Sequence, residues 1–129
     1  MHRNGEACGC GQKGCVEAYA SASATARRHS SKENKPRATA KEVFQQLLKK
    51  DKSAEQTIDE TCEYLAIACI NLCRIIDPEV IFLAGGMAQA GTVLLDRVQY
   101  YIARHGWTVL PNEVRQLQRL FVIVVVQLA

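Results

Sequence analysis

Apolar positions recur along this chain in two rhythms, and the change from one to the other divides it. Between Thr39 and Ile76 they follow helical spacing: Val43, Phe44, Leu47 and Leu48 make one stripe that ends near Lys50. Ile58, Cys62, Leu65, Cys69, Leu72, Cys73 and Ile76 make a longer stripe, widened by Ala66 and Ile70. Each stripe has a start signal. Thr39-Ala-Lys-Glu42 and Ser53-Ala-Glu-Gln56 both carry the spacing of a capping box, in which two side chains satisfy orphan backbone donors reciprocally. The second helix is expected to be the most buried, and to stop at Asp77-Pro78, because proline disfavours helical geometry in the residue before it.

Beyond Pro78 the rhythm changes. Val80 to Ala84 is an unbroken apolar run bounded by Pro78 and Gly85-Gly86, the pattern of a strand covered on both faces. Thr92 to about His105 is again amphipathic, with Val93, Leu94, Val98, Tyr101 and Ile102 inward and Gly106 as a cap. Pro111 to Gln118 predicts a short helical turn, and Leu120 to Val126 a second buried strand. Helix, strand, Gly-Gly, helix, strand is the order of a βαβ half of an α/β fold with parallel strands. Upstream, Asn4-Gly5 marks a turn, Cys15 to about His29 reads as a helix rich in small residues, and Ser30 to Pro36 as a polar connector. No internal repeat or low-complexity segment interrupts this order.

Length and composition, 129 residues of which 48% are hydrophobic, allow one domain with a real core. The net charge of +3 is uneven: from Arg27 to Lys52, nine lysines and arginines face three acids. A nucleic-acid surface would interleave aromatic residues with such charges, and only Phe44 does so, so a solvated face and no nucleic-acid partner are expected. The longest apolar run, Leu120 to Val126, is too short to span a bilayer. The polar N-terminus shows no secretory leader, and the six cysteines are spaced unlike a disulfide framework, so a reducing, cytoplasmic setting is expected. Cys62, Cys69 and Cys73 lie on one helical face, where a free thiol behaves as a small hydrophobe.

Cys8, Cys10 and Cys15 are different. They share eight residues with Gly9, Gly11 and Gly14, whose freedom at positive φ would let the loop turn all three sulfurs to one point. Three thiolates so close suit a structural zinc ion; the alternative is three reduced thiols. Three ligands leave a tetrahedral corner for His2 or water, with His29 and His105 as weaker candidates at surface positions near helix ends. Glu17, two residues past the last cysteine, reads by position as a helix N-terminal acid favoured by the helix dipole. Gly85-Gly86 reads either as an ordinary tight turn or as a place where a ligand approaches the backbone at a strand end.

The stretch Cys8-Gly-Cys-Gly-Gln-Lys-Gly-Cys15-Val-Glu17, followed by Ala-Tyr-Ala-Ser21, resembles the zinc-loop signature of the ROK family of sugar kinases and related repressors. Asp77-Pro78-Glu79-Val80-Ile81-Phe82-Leu83-Ala84-Gly85-Gly86 is similar to that family's later strand and Gly-Gly turn, and the resemblance runs over residues 1 to about 125. It implies the C-terminal lobe of an actin-like, hexokinase-like (ribonuclease H-like) α/β fold, incomplete here, with helices on a short, mostly parallel sheet. Residues 1–129 would form a single partial domain: a zinc loop over 1–17, a helical part over 18–76, and a strand-helix-strand part on the nucleotide side over 77–129.

The resemblance also implies a function. The intact enzyme would move the γ-phosphate of MgATP to a hexose or N-acetylhexosamine, of the glucose or N-acetylmannosamine class. Cys8, Cys10 and Cys15 would hold Zn2+, Glu17 would accept hydrogen bonds from sugar hydroxyls, and Gly85 and Gly86 would line the adenosine side. The family's fourth zinc ligand is a histidine at a position that falls before Met1, which His2 does not match. The family's Asp-x-Gly-x-Thr phosphate loop and its Asn-Asp pair, whose aspartate deprotonates the sugar, do not occur in this sequence. A fragment of the kinase, inactive alone, is therefore expected, and its uncovered surface should favour self-association at the Leu120–Val126 edge. The alternative is a non-catalytic zinc-stabilised module, a sugar sensor or dimerisation partner like the ROK repressors, whose DNA-binding segment is not seen here.

Overall fold

A computed structural model describes residues 2–34 and 38–106, and a strand over 121–124. The elements run α1 (Val16–Ala20), α2 (Ala22–Glu33), α3 (Ala40–Leu48), α4 (Lys52–Ile76), β1 (Val80–Leu83), a 3-10 helix (Gly86–Ala90), α5 (Thr92–His105) and β2 (Phe121–Val124). They fall into two compact units, Met1–Tyr64 and Leu65–Ala129, with the boundary inside α4.

In the first unit the single helix expected from Cys15 to His29 is two. Ser21 is extended (φ −77°, ψ 162°) and ends α1, and its hydroxyl accepts the Ala24 N–H at 3.1 Å to start α2. A serine that satisfies an N-terminal donor makes a break here cheaper than a continuous helix. α2 then runs on to Glu33, into the stretch read as a connector, and Asn34 closes it in the left-handed region (φ 51°). The capping box at α3 forms in full: the Thr39 hydroxyl accepts the Glu42 N–H, and the Glu42 carboxylate accepts the Thr39 N–H at 2.6 Å. Of the α3 stripe, Val43 and Leu47 are buried, but Leu48 is 71% exposed. The second box does not form as read, because Asp51 caps α4 instead, its Oδ1 accepting the Ala54 N–H at 2.8 Å. Asp51 precedes Ser53 and is the better acceptor, so the helix starts two residues early, at Lys52.

Ile58, Cys62, Ala66, Cys69 and Ile70 of α4 are buried as the stripe requires. Burying a side chain such as Ile58 is worth about 1.5–3 kcal/mol. The last turn departs from the expectation: Leu72 and Ile76 are exposed, as is Ile75. Asp77 ends the helix at φ 52°, its N–H bonded to the Cys73 carbonyl at 3.0 Å. No helix among the described residues is long and apolar enough to cross a membrane.

In the second unit β1 pairs in parallel with β2, Val80 opposite Phe121 and Leu83 opposite Val124. β1 is not covered on both faces as expected, since Phe82 is 59% exposed. α5 begins at Thr92 and ends at His105 as the pattern indicates, and it buries Leu94, Val98 and Ile102. Gly106 takes φ −58°, so it caps without the left-handed turn, through its N–H to the Ile102 carbonyl. The helical turn expected over 111–118 lies outside the described residues, as do the two ends of the strand expected over 120–126.

Candidate functional site

The cysteine loop is a small hairpin. Ala7 and Lys13 form an antiparallel bridge, Cys8 N–H bonds to the Gln12 carbonyl at 2.8 Å, and Gly11 N–H turns back to the Cys8 carbonyl at 3.0 Å. Gly14 N–H bonds to the Glu6 carbonyl at 2.8 Å, while its own carbonyl accepts the His2 N–H at 3.2 Å. Gly11 and Gly14 take positive φ (84° and 72°); Gly9, expected to do the same, does not. Gly14 is doubly constrained, because a Cβ there would also collide with the His2 carbonyl. Cys8 and Cys10 sit at the tip of the hairpin, and Cys15 follows it as the residue that begins α1.

The fold brings the three sulfurs together, all within 4.8 Å of one another and Cys10 Sγ 3.6 Å from Cys15 Sγ. Tetrahedral zinc with bonds near 2.3 Å sets two sulfurs about 3.8 Å apart, so this donor set fits such an ion with little movement. Among the described residues no fourth histidine, cysteine or acid joins the group. His2, considered for that corner, instead stands edge-on to the Tyr19 ring at 5.6 Å. Hydrogen bonds, chiefly from the Gln12 backbone, hold the Cys10 thiol below its ordinary value, and hydrogen bonding to Cys10 pushes Cys15 up to about 11. Burial pushes Cys69 up to about 11 as well, and it stays a core thiol.

Glu17 lies in the first turn of α1, exposed. Its Oε2 accepts the Cys8 thiol at 3.7 Å, so loop and carboxylate are in contact. His29, expected at the surface, is buried, because α2 continues past it and turns it onto α3; its Nε2 is 2.7 Å from Gln46 Oε1. His105 is exposed and stacks on Tyr101, with ring centroids 6.1 Å apart. In the second unit Gly85 takes φ 105° and ψ −173° at the end of β1, and both Gly85 and Gly86 are exposed, with no neighbour among the described residues within 4 Å of where a Cβ would stand.

Sequence reasoning missed what holds the loop. The Tyr19 hydroxyl accepts the Glu6 N–H at 2.8 Å, and its ring packs on Tyr64 at 4.7 Å. Arg28, read as part of a solvated face, is half-buried, ion-paired with Glu60 at 3.2 Å and bonded to the Tyr19 carbonyl at 2.8 Å. Its burial lowers the guanidinium, against the opposing pull of Glu60. A lone tyrosine in a run of alanines and serines was the available signal.

The ROK family model matches residues 1–119. A glucokinase of Thermotoga maritima is 35% identical over 104 residues, 70% of this chain and 33% of the relative. An N-acetylmannosamine kinase of Vibrio cholerae is 35% identical over 86 residues, 67% of this chain and 29% of the relative. The chain thus spans about a third of the length of these curated relatives. Among solved structures, the ROK hexokinase of Thermus thermophilus superposes with a TM-score of 0.74 at 28% identity, over 95% of this chain and 39% of that one. A ROK family transcriptional regulator, homologous to the E. coli MLC protein, shares the fold at TM-score 0.71 and 21% identity, over 95% of this chain and 32% of that one. The chain belongs to the ROK family.

Proposed function

We propose that this ROK-family chain is part of an ATP-dependent sugar kinase, the part that presents a carboxylate to the sugar from a metal-stabilised loop. The observation that carries the reading is the cysteine trio, its sulfurs within 4.8 Å, with Cys15 beginning the short helix that exposes the Glu17 carboxylate. A zinc ion would be held by Cys8, Cys10 and Cys15 and would supply rigidity. Glu17, exposed at the start of α1, has free acceptor capacity for sugar hydroxyls. The names of the relatives favour glucose or N-acetylmannosamine as the substrate class, with ATP and Mg2+ used by the intact enzyme. Gly85 and Gly86 would face the nucleotide, since exposed glycines at a strand end let a ligand approach the backbone.

On this reading the fold is one lobe of an actin-like kinase and the chain a single partial domain, working in a reducing cytoplasm. Lacking the Asp-x-Gly-x-Thr loop and the Asn-Asp pair, it does not turn over alone. The test is a D-glucose and N-acetylmannosamine titration of the 129-residue chain, followed at the backbone amides of α1 by NMR. A saturable shift with either sugar, lost in Glu17→Gln, is expected; no response to either at 100-fold molar excess contradicts the sugar contact. The fold likeness to a ROK regulator favours a second reading, a sugar-sensing module without catalysis. Joining the chain to a kinase N-terminal lobe distinguishes the two: recovered phosphotransfer supports the kinase, and sugar binding without it the sensor.

A further inference from the structure

We propose that Arg28 is a positioning residue: locked to α4, it holds the Tyr19 carbonyl and so sets the direction of α1 and of the Glu17 carboxylate that α1 carries. This rests on the reading above, in which Glu17 meets the sugar. The need for such a device comes from length. α1 has five residues, and an isolated turn of helix is unstable in water. Its last carbonyls also have no partner within the helix. Two of them are taken by α2: Arg27 Nη2 donates to the Ala18 carbonyl at 3.1 Å, and Arg28 Nη1 to the Tyr19 carbonyl at 2.8 Å.

The two arginines differ in what stands behind them. Arg27 is exposed. Arg28 is anchored on α4 by the Glu60 ion pair, by a hydrogen bond from Nη2 to the Thr61 hydroxyl, and by a longer one at 3.5 Å to the Thr57 carbonyl. Its guanidinium also lies over the Tyr64 ring at 5.9 Å. Only a planar fork makes several of these bonds while keeping one for Tyr19; a lysine ammonium reaches one or two.

Tyr19 relays the hold in the other direction. Its main chain ends on Arg28 and its hydroxyl on the Glu6 N–H of the cysteine hairpin. Glu17 is two residues away in the same short helix, and Cys15 begins that helix. A rotation of α1 therefore moves the carboxylate and one sulfur together. Misplacing a substrate-orienting group by about 1 Å is enough to cost about 100-fold. Arg28 does this without touching the ligand.

The test compares Arg28→Met and Arg28→Lys with Lys32→Met in the zinc-supplemented 129-residue chain. Lys32 also pairs with Glu60, at 2.7 Å, but belongs to the far end of α2. Hydrogen exchange is read at the Ala18 and Ser21 amides, which bond to the Cys15 and Glu17 carbonyls, against the Ile58 and Cys62 amides of α4. Arg28→Met is expected to speed the α1 amides about tenfold more than Lys32→Met does, with α4 unchanged, and Arg28→Lys to recover little of it. D-glucose binding should weaken by about tenfold in Arg28→Met and hold in Lys32→Met. Equal α1 exchange in the two methionine variants, or α1 and α4 rising in step, overturns the proposal. If the unsubstituted chain gives no D-glucose response, the sugar reading fails, and the exchange comparison still decides whether Arg28 fixes α1.

Discussion

The turn that carries the cysteines and the turn that follows β1 are both built on glycine, and glycine serves a different purpose in each. In the first, Gly14 is hemmed in: its φ is 72°, and a side chain would meet the His2 backbone. Around it the Tyr19 hydroxyl, the Ala7–Lys13 bridge and paired carbonyls leave the hairpin one arrangement. In the second, Gly85 is demanded by φ 105° alone, and among the described residues nothing stands within 4 Å of where its Cβ, or that of Gly86, would be. One turn is organised by its own chain before any ligand arrives. The other leaves its backbone bare, an exposure proposed above for the nucleotide.

Substitutions at these glycines separate the two cases most sharply. Gly14→Ala combines left-handed strain with a backbone collision and should cost at least about 3 kcal/mol in urea unfolding, taking metal binding with it. A cost under about 1 kcal/mol would mean the hairpin is looser than its hydrogen bonds indicate. Removing the proposed zinc comes next. Chelation, or Cys10→Ser, should lower the melting temperature and release the loop while α5 keeps its amide protection, because stability is local. Loss of protection in both units together would contradict the contrast.

Gly85→Ala should cost about 1–3 kcal/mol from backbone strain alone, since its φ and ψ lie in a region nearly reserved for glycine. Gly86→Ala, at an unstrained and open position, should be nearly silent in the same measurement. Thr39→Ala lies outside both turns and calibrates them, at about 1 kcal/mol for a lost helix cap. Its pH dependence has a fixed sign. Hydrogen bonds from the Thr39 backbone and hydroxyl hold the Glu42 carboxyl below the ordinary glutamate range. The contribution is therefore complete above the unfolded value and fades as pH falls through the folded one. Thr39→Ala should flatten the acid limb of the stability curve, and an unchanged limb would deny the box its charge.

How much of this the sequence disclosed depends on whether a feature is local. The Thr39 box, the α5 boundaries, the strand after Pro78 and the gathering of Cys8, Cys10 and Cys15 are all encoded within a few residues. The break at Ser21 was hidden because alanines on both sides favour helix, and only the serine hydroxyl decides it. Asp51 displaced the expected cap through a shift of two positions that periodicity does not register. Arg28 was misread because its partners on α4, Glu60, Thr61 and Tyr64, are more than thirty residues away, and charge counting cannot see a half-buried fork. The family signature Cys-x-Cys-Gly-x-x-Gly-Cys-x-Glu supplied what spacing could not, a reason to connect Glu17 with a ligand.

The most direct trial of the central claim is the metal itself, read by zinc K-edge absorption on protein purified from zinc-supplemented medium. The account predicts one zinc per chain with three sulfur neighbours near 2.3 Å and a lighter fourth ligand. Protein that carries no stoichiometric zinc, or an edge showing nitrogen and oxygen ligands alone while Cys8, Cys10 and Cys15 react freely with a thiol reagent, would contradict it.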